Sequence, residues 1–155
     1  MTEMKEVFRE ELVLLKYDAK DAEDVLRALA DRLFEDGAVK ETYFQAMWNR
    51  EQSYPTGLPT EEIQVAMPHA EVEHVNYSAF AIATLQNPVK FGEMGAGPES
   101  TVDVEIIMML ANADPEEQVK TLRKMVDLFD EPASLKTILE AETASDIVKI
   151  LRTNY

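Results

Sequence analysis

The chain is poor in several of the residues that most often carry chemistry. Its 155 residues include no cysteine and only two histidines, and no apolar run approaches the roughly 18 residues that a membrane-spanning helix needs. The absence of cysteine excludes disulfides and thiolate nucleophiles. The acidic start, residues 1–6, lacks the basic region and apolar stretch of a signal peptide. We therefore expect a cytoplasmic protein that does not insert into a membrane.

Basic residues are also scarce. Fifteen lysines and arginines face thirty aspartates and glutamates, which gives a formal net charge of −15 at pH 7. Such a charge repels the phosphates of nucleic acids and anionic lipid surfaces, so we expect no nucleic-acid partner. The same charge would speed the encounter with a basic protein, although an acidic surface can equally serve solubility.

Length and patterning indicate one α/β domain over residues 1–155, because 46% apolar residues and 29% charged residues are ordinary for a globular chain. Alternating or continuous short apolar runs predict strands, and apolar residues at helical spacing predict helices. Proline and glycine predict a surface loop between the second helix and the second strand. The predicted strands are Glu11–Tyr17, Ile63–Met67, Tyr77–Leu85 and Val102–Leu110, the last two near the sheet centre, and the loop is Ser53–Glu62.

Five helices are predicted from capping residues and periodicity. The first is capped by Asp18 and ends at Gly37, and the second covers Glu41–Gln52. The third is capped by Asp114, the fourth covers Pro132–Glu140, and a capping pattern at Thr143 begins the fifth. The predicted buried stripe of the third helix consists of Val119, Leu122, Val126 and Phe129.

The two histidines, His69 and His74, lie five residues apart, and His69 comes just after a predicted strand that Pro68 ends. A metal site is disfavoured, because on a helix this spacing turns the two side chains about 140 degrees apart and the chain has no further histidine. General acid-base hydrolysis lacks a marked partner or nucleophile elbow. Phosphoryl transfer through histidine needs only an exposed neutral imidazole and nearby donors. An ordinary surface or core role for His69 also stays open on composition alone.

Four segments together resemble a known family. They are Asn49–Thr60 with its Pro-Thr-Gly loop, Val65–His69 with Ala-Met-Pro-His, Glu73–Val75, and Asn87–Gly95. In this combination, over about residues 8–152, the chain resembles the enzyme IIA component of the bacterial phosphoenolpyruvate-dependent sugar phosphotransferase system. Within the mannitol and fructose family, it is most similar to the galactitol-type branch.

This resemblance implies a mixed β-sheet flanked by α-helices. We expect no cofactor and no metal. The resemblance also implies that His69 accepts a phosphoryl group on Nε2 from the phosphohistidine of the carrier HPr. The group would then pass to a cysteine of enzyme IIB, which serves sugar uptake through the membrane enzyme IIC.

Three further residues become candidates for the site through the resemblance. Gln118 matches a position where mannitol and fructose members often carry a second histidine, and it would either donate an amide hydrogen bond to the phosphoryl group or simply face solvent. Arg50 would either neutralise phosphate charge or form a surface salt bridge. His74 would either assist His69 or only occupy the loop.

Two expectations about partners follow. A transient docking surface would place a small apolar ring around His69, with Leu58, Met67 and Phe91 as contributors. The alternative to a transport role is a regulatory module, in which the phosphorylation state of His69 controls binding to another protein.

Overall fold

The computed structural model describes residues 7–60, 62–97 and 99–154, and its strands form one sheet. The strands are β1 (Val13–Tyr17), β2 (Gly57–Leu58), β3 (Gln64–Ala66), β4 (Ala79–Gly92) and β5 (Thr101–Ala111), in the spatial order β1-β4-β5-β3-β2. The pairs β1/β4 and β3/β5 are parallel, while β4/β5 and β2/β3 are antiparallel. The sheet is therefore mixed, as the resemblance implied, and β5 lies at its centre.

The helices are α1 (Ala22–Asp36), α2 (Tyr43–Ser53), α3 (Pro115–Phe129), α4 (Pro132–Glu140) and α5 (Ala144–Asn154). None of these described helices is long and apolar enough to cross a bilayer. Asp114 and Thr143 accept backbone N–H groups at the starts of α3 and α5, and Gly37 ends α1 with φ 95. The predicted cap of α1 was wrong: Asp21, not Asp18, accepts a first-turn N–H, because it directly precedes the first helical residue.

The helices cover both faces of the sheet. Successive residues of the apolar run in β5 point to opposite faces, so Ile107 and Met109 pack in one core with α1 and α2. Ile106 and Met108 pack in a second core with α3, α4 and α5. The continuous apolar run is thus explained by a strand that is buried on both sides.

The predicted buried stripe of α3 was right for Phe129 and for the partly buried Leu122, but wrong for its other two members. Val119 and Val126 are 62% and 39% exposed, whereas Thr121, Met125 and Leu128 are buried together with Phe129. The sequence offers two neighbouring stripes at helical spacing, and the sheet packs against the one that contains a threonine. Apolar periodicity alone cannot decide between two such faces.

The predicted surface loop Ser53–Glu62 contains a strand that the sequence reasoning missed. Over the described part of this segment, Gly57 and Leu58 form β2 and pair with Val65 and Ala66 of β3, and Thr56 is buried. Proline and glycine exclude helix, but they do not exclude a two-residue edge strand. This strand carries the segment inward beside the end of β3, where His69 follows.

Candidate active site

His69 is held at the carboxyl end of β3. Pro68 has no N–H to continue the ladder, but its carbonyl accepts the N–H of Leu110 at 3.0 Å, and His69 forms an isolated parallel bridge with Leu110. The chain therefore leaves the sheet at a fixed point, directly beside the central strand. His69 is 8% exposed, so most of its ring is packed against protein.

The hydrogen bond of the His69 ring determines its tautomer. Nδ1 lies 2.9 Å from the carbonyl oxygen of Met67. Because a carbonyl oxygen only accepts, Nδ1 carries the proton and Nε2 of the neutral ring keeps its lone pair. Burial lowers the pKa of His69, the bond to Met67 opposes this, and the positive charge of Arg50 lowers the pKa further. Burial and Arg50 thus favour the neutral imidazole, in which Nε2 is the nitrogen with the free lone pair.

Arg50 lies in the last turn of α2 and reaches toward the His69 loop. Its Nη1 is 2.9 Å from Oε1 of Glu71, and its guanidinium lies 5.6 Å from the ring centroid of Tyr54. Its Nε is buried and has no hydrogen-bond partner among the described residues. Both roles considered for Arg50 therefore have a basis, because it forms a salt bridge and also keeps an unpaired donor that an anion could satisfy.

His74 and Gln118 are not brought to His69 by any hydrogen bond or ion pair among the described residues. The Nδ1 of His74 lies 2.8 Å from Oγ1 of Thr42, just before α2. Gln118 is half-buried in α3, and its backbone N–H is bonded to Asp114. Their proposed assistance to His69 stays a prediction.

Two residues near His69 received no role from sequence reasoning. Glu51 is 7% exposed, and both of its carboxylate oxygens are bonded by Thr56, which is also buried. One signal could have identified Glu51, because it follows Tyr43 and Met47 at intervals of four residues. Since these two are the buried residues of α2 besides Glu51, the spacing places the carboxylate on the inner face of the helix.

The predicted apolar ring around His69 was wrong for two of its three members. Met67 and Phe91 are 3% and 2% exposed and belong to the cores, while Leu58 is partly exposed. Met67, just after β3, packs in the core with α3, α4 and α5, and Phe91 of β4 packs in the core with α1 and α2. Tyr54, which is 68% exposed and stacks with Arg50, is an apolar surface close to the site that the sequence reasoning did not single out.

The arrangement fits one kind of chemistry best. Among residues 7–60, 62–97 and 99–154, no group of three or more histidines, aspartates or glutamates is placed to hold a metal ion. The site offers a neutral imidazole with a defined nucleophilic nitrogen and a cation whose field reaches it. A nucleophile next to a positive charge suits a group that carries negative charge, such as a phosphoryl group.

Comparison with known proteins supports the same chemistry. Residues 6–154 match the family model described as phosphoenolpyruvate-dependent sugar phosphotransferase system, EIIA 2. The galactitol-specific EIIA component of Escherichia coli strain K12 is 29% identical over 119 residues, 77% of this chain and 78% of that protein. The transcriptional regulator ManR of Bacillus subtilis is 35% identical over 81 residues, 52% of this chain and 12% of the regulator.

The fold also matches a solved structure. Enzyme IIA for mannitol from Escherichia coli, in complex with phosphorylated enzyme IIB, superposes with a TM-score of 0.77 at 20% identity and covers 94% of this chain and 96% of that one.

Proposed function

Because this chain belongs to the EIIA 2 family of the phosphoenolpyruvate-dependent sugar phosphotransferase system, we propose that it carries a phosphoryl group on Nε2 of His69. Members of the family are phosphotransferase components. The observation that carries the proposal is the hydrogen bond from Nδ1 of His69 to the Met67 carbonyl, which leaves Nε2 as the free nucleophile. The unpaired Nε of Arg50 is a donor for a phosphoryl oxygen.

The transfer proceeds in two balanced steps. Nε2 of His69 attacks phosphorus in line, so that the new P–N bond forms as the P–N bond of the donor phosphohistidine breaks. The Nδ1–H group keeps donating its hydrogen bond to the Met67 carbonyl oxygen, which stabilises the positive charge that develops on the ring. In the second step a cysteine thiolate attacks, the P–N bond of His69 breaks and a P–S bond forms.

The donor we propose is HPr, and the acceptor is an enzyme IIB that works with a membrane enzyme IIC. A galactitol-type sugar is the proposed cargo of that system, on the basis of 29% identity to a galactitol-specific component over 77% of this chain. The formal charge of −15 favours rapid encounter with a basic carrier surface, which suits a relay in which partners must bind and leave quickly.

The chain offers a matched control for the test, because it contains only two histidines. Wild type, His69→Ala and His74→Ala are incubated with phosphoenolpyruvate, enzyme I and HPr, and their intact masses are compared before and after mild acid. We expect one acid-labile phosphate on wild type and on His74→Ala, and none on His69→Ala. An unmodified wild type, beside an enzyme IIA control that becomes phosphorylated, would refute the proposal.

A regulatory role is the second candidate function. It is supported by the similarity to the transcriptional regulator ManR over 81 residues. In that role, phosphorylation of His69 changes binding to another protein and no sugar is delivered. The two roles separate when phosphorylated protein is mixed with a galactitol-type enzyme IIB. Loss of the phosphate from His69 to the IIB cysteine supports transport, and a stable phosphate supports regulation.

A further inference from the structure

A buried carboxylate, Glu51, is linked through Thr56 to the backbone two residues before His69, and it takes no direct part in the transfer. Glu51 is 7% exposed on the inner face of α2, and burial raises its pKa while the hydrogen bonds from Thr56 oppose that rise. The backbone N–H of Thr56 donates to Oε2 at 2.9 Å, and the Thr56 hydroxyl donates to Oε1 at 2.9 Å. Both oxygens of the carboxylate are therefore used by a single residue of the segment that leads into β2.

The hydroxyl of Thr56 connects this carboxylate to the backbone before His69. Since its only proton is directed to Glu51, its oxygen is free to accept, and the N–H of Met67 lies 3.2 Å from it. The carbonyl of Met67 in turn accepts the Nδ1–H of His69 at 2.9 Å. Met67 is thus fixed through both of its backbone polar groups, one toward Thr56 and one toward the histidine ring.

We propose that Glu51 and Thr56 are positioning residues that fix the tautomer and orientation of His69 through the backbone of Met67. The carboxylate matters because it can only accept, so it sets the direction of the hydroxyl proton and leaves the hydroxyl oxygen for Met67. Burial of the carboxylate is unfavourable by itself, which fits a residue that is retained for orientation. The consequence for transfer rate rests on the proposed function, whereas the consequence for the tautomer does not.

A purely structural role is the competing explanation, because the same bonds also attach β2 to α2. Thr84 provides the control for it. Thr84 is fully buried in β4, and its hydroxyl oxygen accepts the backbone N–H of Lys16 at 2.8 Å. Lys16 lies in β1, which β4 and β5 separate from β3 in the sheet. Thr84→Val and Thr56→Val therefore each remove one buried hydroxyl that accepts a backbone N–H, and only the Thr56 hydroxyl is bonded to Met67, two residues before His69.

The experiment compares wild type, Thr56→Val, Thr56→Ser, Glu51→Gln and Thr84→Val. The ¹⁵N signals of the His69 ring report the tautomer, thermal unfolding reports stability, and rapid-quench kinetics with phosphorylated HPr report the rate. In Thr56→Val we expect mixed tautomers and a rate loss of about 10- to 100-fold, since a misplacement of the reacting group by an ångström is worth about that much. Thr56→Ser restores both, and Thr84→Val loses stability without either change.

Glu51→Gln keeps the proposal testable if Thr56→Val does not fold. The amide of the new glutamine can donate to the Thr56 hydroxyl, which would turn the hydroxyl proton away from residue 51 and toward the N–H of Met67. The hydroxyl oxygen could then no longer accept that N–H, so we expect the same mixing of tautomers. A His69 ring that keeps one tautomer in both variants, with rates equal to that of Thr84→Val, would overturn the inference. If wild type accepts no phosphate at all, the proposed function fails, and the ¹⁵N signals alone decide the positioning role.

Discussion

Gly57 is a residue whose replacement should reveal how tightly β2 is packed. A Cβ built on Gly57 would lie 2.5 Å from the carbonyl oxygen of Gly92 and 2.6 Å from Cγ2 of Val102, where ordinary contacts are 3.4–4 Å. The Gly92 oxygen is a backbone atom and cannot rotate away, so the backbone of β2 or β4 would have to move by almost an ångström. The requirement for glycine at this position is one of space.

We therefore expect Gly57→Ala to lower the free energy of unfolding by about 1–3 kcal/mol, the usual range for overpacking. Each kcal/mol lowers Tm by roughly 2–4 °C in a domain of this size. Urea titration and thermal melts followed by circular dichroism measure both quantities. Gly57→Ala should also shift the NMR signals of the His69 ring, because Gly57 pairs with Ala66, three residues before His69.

Gly95→Ala is the control for Gly57→Ala. Gly95 has φ +71 with nothing within 4 Å of a built Cβ, so a side chain there meets backbone strain without a clash. We expect Gly95→Ala to lower the free energy of unfolding by about 1 kcal/mol and to leave the NMR signals of the His69 ring unchanged. A Gly57→Ala variant as stable as wild type, with unchanged His69 signals, would show that the space around β2 is not limiting.

The remaining predictions concern the titration of His69 and one buried hydroxyl. Arg50→Gln should raise the pKa of His69, because the positive charge of Arg50 lowers it. Arg27→Gln removes the same charge at a position above the Phe44 ring and should leave the pKa of His69 unchanged. NMR titrations of the His69 ring compare the two variants. Because burial lowers the pKa of His69 in the folded state, the unfolded chain takes up a proton first as the pH falls. Below about pH 6.5, wild type should therefore lose stability relative to His69→Gln, by at most about 1.4 kcal/mol per pH unit. Urea titrations at several pH values measure this difference. Tyr43→Phe should lower the free energy of unfolding by about 1–3 kcal/mol, because it removes a buried 2.7 Å hydrogen bond to a strand carbonyl. Tyr77→Phe should lower it by less in the same titrations, because Tyr77 is 43% exposed. Equal losses in the two tyrosine variants would contradict the role given to burial.

Much of the fold could be predicted because local signals and global packing agree. The central strands were predicted from apolar runs, although β4 continues to Gly92, beyond the predicted end at Leu85, where polar residues interrupt the apolar run. The helix α4 was predicted with the bounds it has in the structure, Pro132–Glu140, because a proline at the first helical position marks its start. The register of α3 could not be predicted, since Val119 and Val126 are as apolar as the residues that pack inward. Strand β2 was missed because two residues carry no period of their own.

Residue patterns alone marked only His69 of the candidate site, and Arg50 became a candidate only through the family resemblance. His69 stands out by scarcity and by the proline before it, but its tautomer depends on a carbonyl two residues earlier, which no pattern of side chains reveals. Glu51 looks like one of many acidic residues in an acidic chain. Its burial becomes visible only when its spacing from Tyr43 and Met47 is compared with the face of α2 that meets the sheet.

The segment that carries His69 is attached at both of its ends. Leu110 binds the Pro68 carbonyl at one end, and the N–H of Lys40 binds the His74 carbonyl at 2.9 Å at the other, where Val75 also bridges Val39. A segment fixed in this way has little conformational entropy left to lose when a partner binds. In the proposed relay, donor and acceptor would dock in turn on the same preorganised surface, and the adaptation between one complex and the next would fall to the partners' side chains.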